Sequence, residues 1–480
     1  MARVVLFGHV RGLTPDMSEP ADLAFATATE QAELVRRGEV SPVELVELYL
    51  GRIERIDPEL NAYVTVCGEE ALAAARAAEA EPSDRPFHGV PLPIKDLNET
   101  AGIRTTFSSR AFADYVPDFD VAVVRRLKEA GVIVLGKTNT PELGITAVTE
   151  SVLNGACRNP WDTARTPGGS SGGAAAAVSA GLAPAAHGSD GGGSIRIPAS
   201  CCGIFGIKPS RGRVSPAPYG GLEGFSTSGP LTRTVLDAAA LLDVMAGYET
   251  GDPYWAPPPE RPFAEEVGRD PGALRVAITT TPPIEAPVDS ACLAATEAAG
   301  ALLAELGHSV VDATPPWGDD RLFPLFMRVW QVGPALYGDS VELFEPMNQV
   351  LVESAAKTTA VEHVAATVAL RELARRIVGF FDDYDLLLTP TLAQPPVLIG
   401  ELEDDDPWVQ FRNAGRFTPF TQVANITGQP AVSVPLHWTE DGLPIGVQLV
   451  GRPADEVTLF RVSAQLEEAR PWRDRRPPTI

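Results

Sequence analysis

Histidine and cysteine are scarce in this chain of 480 residues, and the few present sit at uninformative spacings. Six histidines include no HExxH pair, and five cysteines (Cys67, Cys157, Cys201, Cys202, Cys292) include no CxxC. A protein-built metal site needs several such ligands at fixed intervals, so neither a metal nor a cofactor is expected. Adjacent Cys201 and Cys202 suit no simple disulfide, and all five read as reduced packing residues. No run approaches the ~18 apolar residues of a membrane-spanning helix. The apolar patch Val4 to Phe7 is too short for the core of a secretory leader, so the expected address is cytoplasmic. Positive charge is also in deficit: 39 Lys and Arg stand against 63 Asp and Glu, a net charge of −24. Such a surface repels phosphate backbones and anionic lipid. The expected partner is therefore a small molecule, not nucleic acid or membrane, and the expected assembly a monomer or homodimer.

What is present is alternation. Ser41-Pro42-Val43-Glu44 is a capping box with proline in the first turn, followed by Leu45, Leu48, Ile53 and Ile56 at helical spacing. Further helices are expected at 71–79, at 121–130 closed by Gly131, and at 235–246 behind Thr234, with Asp237 at the capping-box position. Another should span 291–306. Short apolar runs at 132–135, 309–311, 386–388, 431–434 and 445–449 read as buried strands. Strand and helix in repetition imply an α/β sheet covered on both faces. Residues 251–285 are rich in proline and mark a boundary or a surface excursion.

Three glycine-rich stretches are candidates for chemistry. Gly131 to Thr138 matches the P-loop pattern GxxxxGK[ST] literally, but its centre is Val132-Ile133-Val134-Leu135, which favours a strand over a phosphate-cradling loop. Gly168 to Gly172, centred on Ser170, fits the GxSxG elbow of α/β hydrolases. His308, His363 and His437 follow it in the order that fold requires, although no apolar strand precedes it. The third stretch runs from Ser189 to Pro198. Its three glycines, Gly191, Gly192 and Gly193, let backbone amides approach a substrate oxyanion beside Ser194.

Gly168 to Gly173, the 24-residue step from Ser170 to Ser194, and Asp190 to Pro198 together resemble the amidase signature family. His88 to Asp96 is similar to that family's lysine motif. Gly136 to Asn139, Gly206 to Ser210, Leu388 to Thr391, Asn425 to Pro430 and Gly442 to Gln448 follow in the family's order. The resemblance implies a mixed, largely parallel central sheet with helices on both faces. It implies an N-terminal extension at 1–20 and one amidase domain over 21–480. That domain would comprise N-terminal helices (21–85), a catalytic core (86–250), a variable helical cap (251–370) and a C-terminal part completing the core (371–480). It implies Ser194 as nucleophile, Lys95 as general base and Ser170, behind a cis peptide bond, as the relay between them. The amides of Gly191, Gly192, Gly193 and Ser194 would form the oxyanion hole. Ser171, Asp190 and Arg196 would brace it. A lysine base must be neutral, so Lys95 should be buried. Many members carry an apolar residue where this chain has Gly191, a change expected to loosen the loop without removing a donor.

Within the family, Ser189 to Arg213 looks most similar to hydrolases of cyclic amide dimers, with aryl-acylamidases and urethanase-like enzymes close in character. The alternative is the glutamine-hydrolysing subunit of a tRNA amidotransferase, whose Gly-Tyr-Tyr-Asp run is missing from 345–385. Phe323, Phe326 and Trp330 fall on one helical stripe, which reads either as core packing or as the wall of an apolar entrance for aryl or alkyl amides. Intact Lys95, Ser170 and Ser194 speak against a catalytically dead binding protein.

Overall fold

The computed structural model describes residues 20–338 and 340–478; apart from its last position, the extension expected at 1–20 lies outside them. Local signals start the helices where expected. Ser41 Oγ accepts from Glu44 N at 3.1 Å while the Glu44 carboxylate accepts from Ser41 N at 2.7 Å, opening the helix Pro42–Leu60. Thr234 likewise caps the helix Val235–Met245. Asp237 does not return that bond. Its buried carboxylate accepts from Ala28 N, Thr29 N and Thr29 Oγ1, and so ties the helix Ala28–Arg37 to the core.

Three strands, β1 (Tyr63–Val66), β2 (Pro91–Lys95) and β3 (Ile133–Thr138), form a small sheet in the order β1-β3-β2, with β2 and β3 parallel. The P-loop match is this β3, buried along its whole length, and the phosphate-loop reading is withdrawn. Gly136 is required there because a Cβ would sit 2.1 Å from Thr65 O on β1.

The remaining strands are β4 (Ala185–Asp190), β5 (Phe205–Lys208), β6 (Thr227–Thr232), β7 (Arg275–Ile278), β8 (Ser309–Asp312), β9 (Leu386–Pro390), β10 (Ala431–Trp438) and β11 (Pro444–Gly451). They build one sheet in the order β4-β6-β5-β10-β11-β9-β7-β8. The sheet is mixed, but in it only the pairs β7–β8 and β7–β9 run parallel, so the expected parallel majority is corrected. The short turn between β10 and β11 can join only antiparallel strands. Both faces are covered. Leu386, Leu388, Val432, Val434, Val447 and Leu449 point into one apolar core, whereas Leu387, Ala431 and Val450 point into another beneath the helices Leu322–Trp330 and Ala360–Gly379. Burial on both sides is why these strands read as unbroken apolar runs.

Candidate active site

β2 ends on Lys95, and β4 ends on Asp190 just before the glycine turn. These two strand ends, with the segment 168–171 between them, assemble the site. Lys95 is fully buried. Its Nζ donates to Ser170 Oγ at 2.8 Å and to Ser189 Oγ and O at 3.2 and 3.3 Å. Burial draws the lysine pKa down to about 7, and the nearby Asp190 charge only partly opposes the shift. The peptide bond between Gly169 and Ser170 is cis. Ser171 Oγ donates to Ser189 O at 3.1 Å, and Ser171 N donates to Ser194 O at 3.1 Å, so the Ser170–Ser171 peptide lies against the turn that carries Ser194.

That turn is held by a buried ion pair. Arg196 opens the helix Arg196–Cys202 and donates from Nε and an Nη to the two oxygens of Asp190, both at 2.9 Å. Its remaining N–H groups reach Thr421 O, Gln448 Oε1 and Asn425 Oδ1 at 2.6–2.7 Å. Arg196 holds the Asp190 carboxyl far below its usual range despite complete burial. Every lone pair and proton of the pair is engaged, the condition under which a buried ion pair is tolerated. Asp190 also accepts from Gly193 N at 2.8 Å and Ile195 N at 3.2 Å. The Gly193 amide, expected in the oxyanion hole, is thus committed to a carboxylate, because Asp190 folds back on its own turn. The amides of Gly191, Gly192 and Ser194 have no acceptor among the described residues. Gly193 (φ 133°) admits no side chain, since a Cβ would lie 2.3 Å from Thr421 Oγ1. Thr421 Oγ1 in turn holds Gly192 O at 2.7 Å.

Ser170, Ser189, Gly191 and Ser194 line a cavity of about 850 Å³. Among the three aromatic residues of the helix Leu322–Trp330, only Trp330 reaches its wall. Phe326 is buried behind it, stacked between Trp330 (5.3 Å) and Phe225 (5.8 Å), and Phe323 packs on Phe411. The Trp330 ring occupies the space a side chain at Gly191 would take: a Cβ there would meet the indole at 3.0 Å. The space beside the glycine is therefore filled from outside, by Trp330. His308, His363 and His437 line no part of the cavity, and His308 instead bonds Leu274 N and Gln465, so the GxSxG elbow reading fails. All five cysteines are free and buried. Among the described residues no cluster of His, Cys, Asp or Glu is suited to a metal, and no helix is long and apolar enough to cross a membrane.

The sequence motifs include Ser189, Asn425 and Gln448 without assigning any of them a task, and Thr421, Glu99 and Tyr219 carry no signal in sequence. Only the recurrence of Asn425 and Gln448 in ordered motifs hinted at those two.

Comparison with known proteins adds three kinds of likeness. The family model described as Amidase matches residues 44–460. The putative amidase AmiB2 of Mycobacterium tuberculosis is 43% identical over 478 residues, covering 96% of this chain and 99% of that protein. An acylamidase of Rhodococcus erythropolis is 35% identical over 470 residues, covering 95% and 98%. The structure of a 6-aminohexanoate cyclic dimer hydrolase superposes with a TM-score of 0.89 at 38% identity, covering 95% of this chain and 99% of that one.

Proposed function

The chain belongs to the amidase family, and on that premise we propose that it cleaves amide C–N bonds with Ser194 as nucleophile, Ser170 as proton relay and Lys95 as base. The observation that carries this reading is the 2.8 Å hydrogen bond between Lys95 Nζ and Ser170 Oγ, on a buried lysine that no carboxylate among the described residues touches. A lysine with a pKa near 7 is substantially neutral at physiological pH and can accept a proton.

As Ser194 Oγ bonds to the carbonyl carbon, its proton passes to Ser170 Oγ, and the Ser170 proton passes to Lys95 Nζ. The carbonyl electron pair moves to oxygen, opposite the amides of Gly191, Gly192 and Ser194. Collapse breaks the C–N bond as the leaving nitrogen takes a proton back along the same chain. Water then repeats the sequence on the Ser194 ester, releasing a carboxylic acid. Ser171, Asp190 and Arg196 position the turn.

In this reading the substrates are small linear or cyclic amides, as the names of the acylamidase and cyclic dimer hydrolase relatives suggest, with aryl carbamates as side substrates. Trp330 borders the substrate cavity next to Gly191, and Phe326 supports it. One domain over 21–480 works as a cytoplasmic monomer or homodimer without a cofactor. Glutamine hydrolysis within a tRNA amidotransferase is the alternative, and ammonia release from free glutamine would reveal it. A fluorophosphonate should label Ser194, and Ser194→Ala or Lys95→Ala should abolish nitroaniline release from an acyl anilide. Full turnover in either variant would overturn the assignment.

A further inference from the structure

The wall of the cavity carries a carboxylate that the protein leaves unpaired. Glu99 is only 5% exposed, yet it lines the same cavity as Ser170 and Ser194. One of its oxygens accepts from the Tyr219 hydroxyl at 2.6 Å. The other has no hydrogen-bond partner among the described residues, and no lysine, arginine or histidine there comes within 4.0 Å of the carboxylate. The neighbouring buried cation is Lys137. Its three N–H groups are spent on Asn98 O, Thr100 Oγ1 and Thr105 Oγ1, and the carboxylate nearest to it is Asp96 at 4.0 Å. Arg104 is likewise turned away, onto Ala113 O and Val64 O.

The cavity that Glu99 lines is rich in aromatic residues, among them Phe107, Phe112, Tyr115, Tyr219 and Tyr337. The hydroxyls of Tyr115, Tyr219 and Tyr337 all feel the Glu99 charge. Phe107 packs edge-on against Phe112 at 5.1 Å and against Tyr337 at 5.3 Å. A carboxylate taken out of water without a cation is costly. A carboxylate that shares a ligand cavity with several aromatic side chains offers the two elements that bind an ammonium ion, a charge-assisted acceptor and cation–π partners.

We propose that Glu99 anchors an ammonium group of the substrate, so that this enzyme selects amides bearing a cationic amine remote from the scissile bond. The proposal rests on the amidase reading of the serines that line the same cavity. It names a substrate class that an uncharged amide does not satisfy.

The test compares n-hexylammonium with 1-hexanol as inhibitors of hydrolysis of a neutral para-nitroanilide. The ammonium ion is expected to inhibit at roughly tenfold lower concentration or better. In Glu99→Gln the two should inhibit alike, and Glu99→Asp, which keeps the charge, should keep a preference. Because each ratio is internal to one protein, a general loss of turnover does not imitate the effect. A parallel substrate series places an ω-ammonium on the acyl or on the amine portion, each beside its uncharged isostere. A lower KM for the ammonium member in either portion supports the proposal. Equal inhibition by the two hexyl compounds in the wild-type enzyme, or a preference that survives in Glu99→Gln, overturns it. Cleavage of neutral anilides without any ammonium preference removes the Glu99 assignment alone. No cleavage of either series, with no label on Ser194, removes the amidase assignment as well.

Discussion

Lys95 and Lys137 stand on neighbouring parallel strands, with Ile94 opposite Lys137 and Lys95 opposite Thr138, and both side chains are fully buried. Burial lowers both pKa values, to about 7 for Lys95 and about 8 for Lys137, where the Asp96 charge restores part of the loss. The pKa separates them less than their partners do. Lys137 spends all its protons on a carbonyl and two threonine hydroxyls that lead nowhere. Lys95 Nζ lies 2.8 Å from Ser170 Oγ, a hydroxyl that lines the same cavity as Ser194 and, in the proposed mechanism, hands its proton to the neutral amine. Lys208 makes the same point, since it too is lowered to about 7 but donates to Pro209 O. Burial prepares a lysine to act as a base. A hydroxyl with an onward route makes it one.

The largest expected effect breaks that symmetry outright. Lys95→Met should cut kcat by about a thousandfold or more, whereas Lys137→Met should stay within about tenfold of the wild type, measured on an acyl anilide. Stability should show the opposite order. Lys137→Met leaves Asp96 buried without its cation and should cost about 3 kcal/mol in urea denaturation. Lys95→Met should gain about 1–2 kcal/mol at pH 6, net of the two seryl hydroxyls it leaves unpaired. The sign follows from proton counts. An unfolded lysine titrates near 10.4 but folded Lys95 near 7, so between those values the unfolded chain holds a proton the folded one has shed. Wild-type stability therefore rises with pH across that window, and the advantage of Lys95→Met should shrink from pH 7 towards pH 10. An advantage that grows with pH would contradict the assignment.

The smallest effect sharpens the comparison. kcat/KM should fall on the acid side with a midpoint near pH 7, as Lys95 becomes protonated. Asp96→Asn removes a charge that acts on Lys137, whereas Lys95 is governed by its burial and by Asp190, so the substitution should move that limb by less than about half a unit.

Much of this arrangement was legible in the chain, and the illegible part has identifiable causes. Capping signals are local, so Ser41 and Thr234 marked their helices correctly. Strand direction is not local: Leu386 to Leu388 reads the same whichever way its neighbours run, which is why the parallel share was overestimated. β4, with the sequence Ala185 to Asp190, and β6, with Ser228, Gly229 and Pro230, are too polar or too broken to read as strands at all. Glycine spacing marked the turn proposed to hold the oxyanion, but three adjacent amides look alike in sequence. Only the fold shows Gly193 turned into Asp190. The stripe of Phe323, Phe326 and Trp330 was correctly placed on one helix. What that helix leans against depends on distant segments, and only Trp330 meets the cavity.

The socket around Arg196 also has a consequence for when the enzyme can work. Gln448 Oε1, which accepts from Arg196, lies 252 residues further along the chain. A ribosome adding ~5–20 residues per second takes roughly 10–50 s to reach it after Arg196. For most of that interval the turn that carries Ser194 lacks Thr421 and Asn425, and until its end it lacks Gln448, and with them the contacts that fix it. A nascent or prematurely terminated chain thus carries Ser194, the proposed nucleophile, on a turn that is not yet braced, and on that proposal hydrolytic power arrives only with the last strands of the sheet.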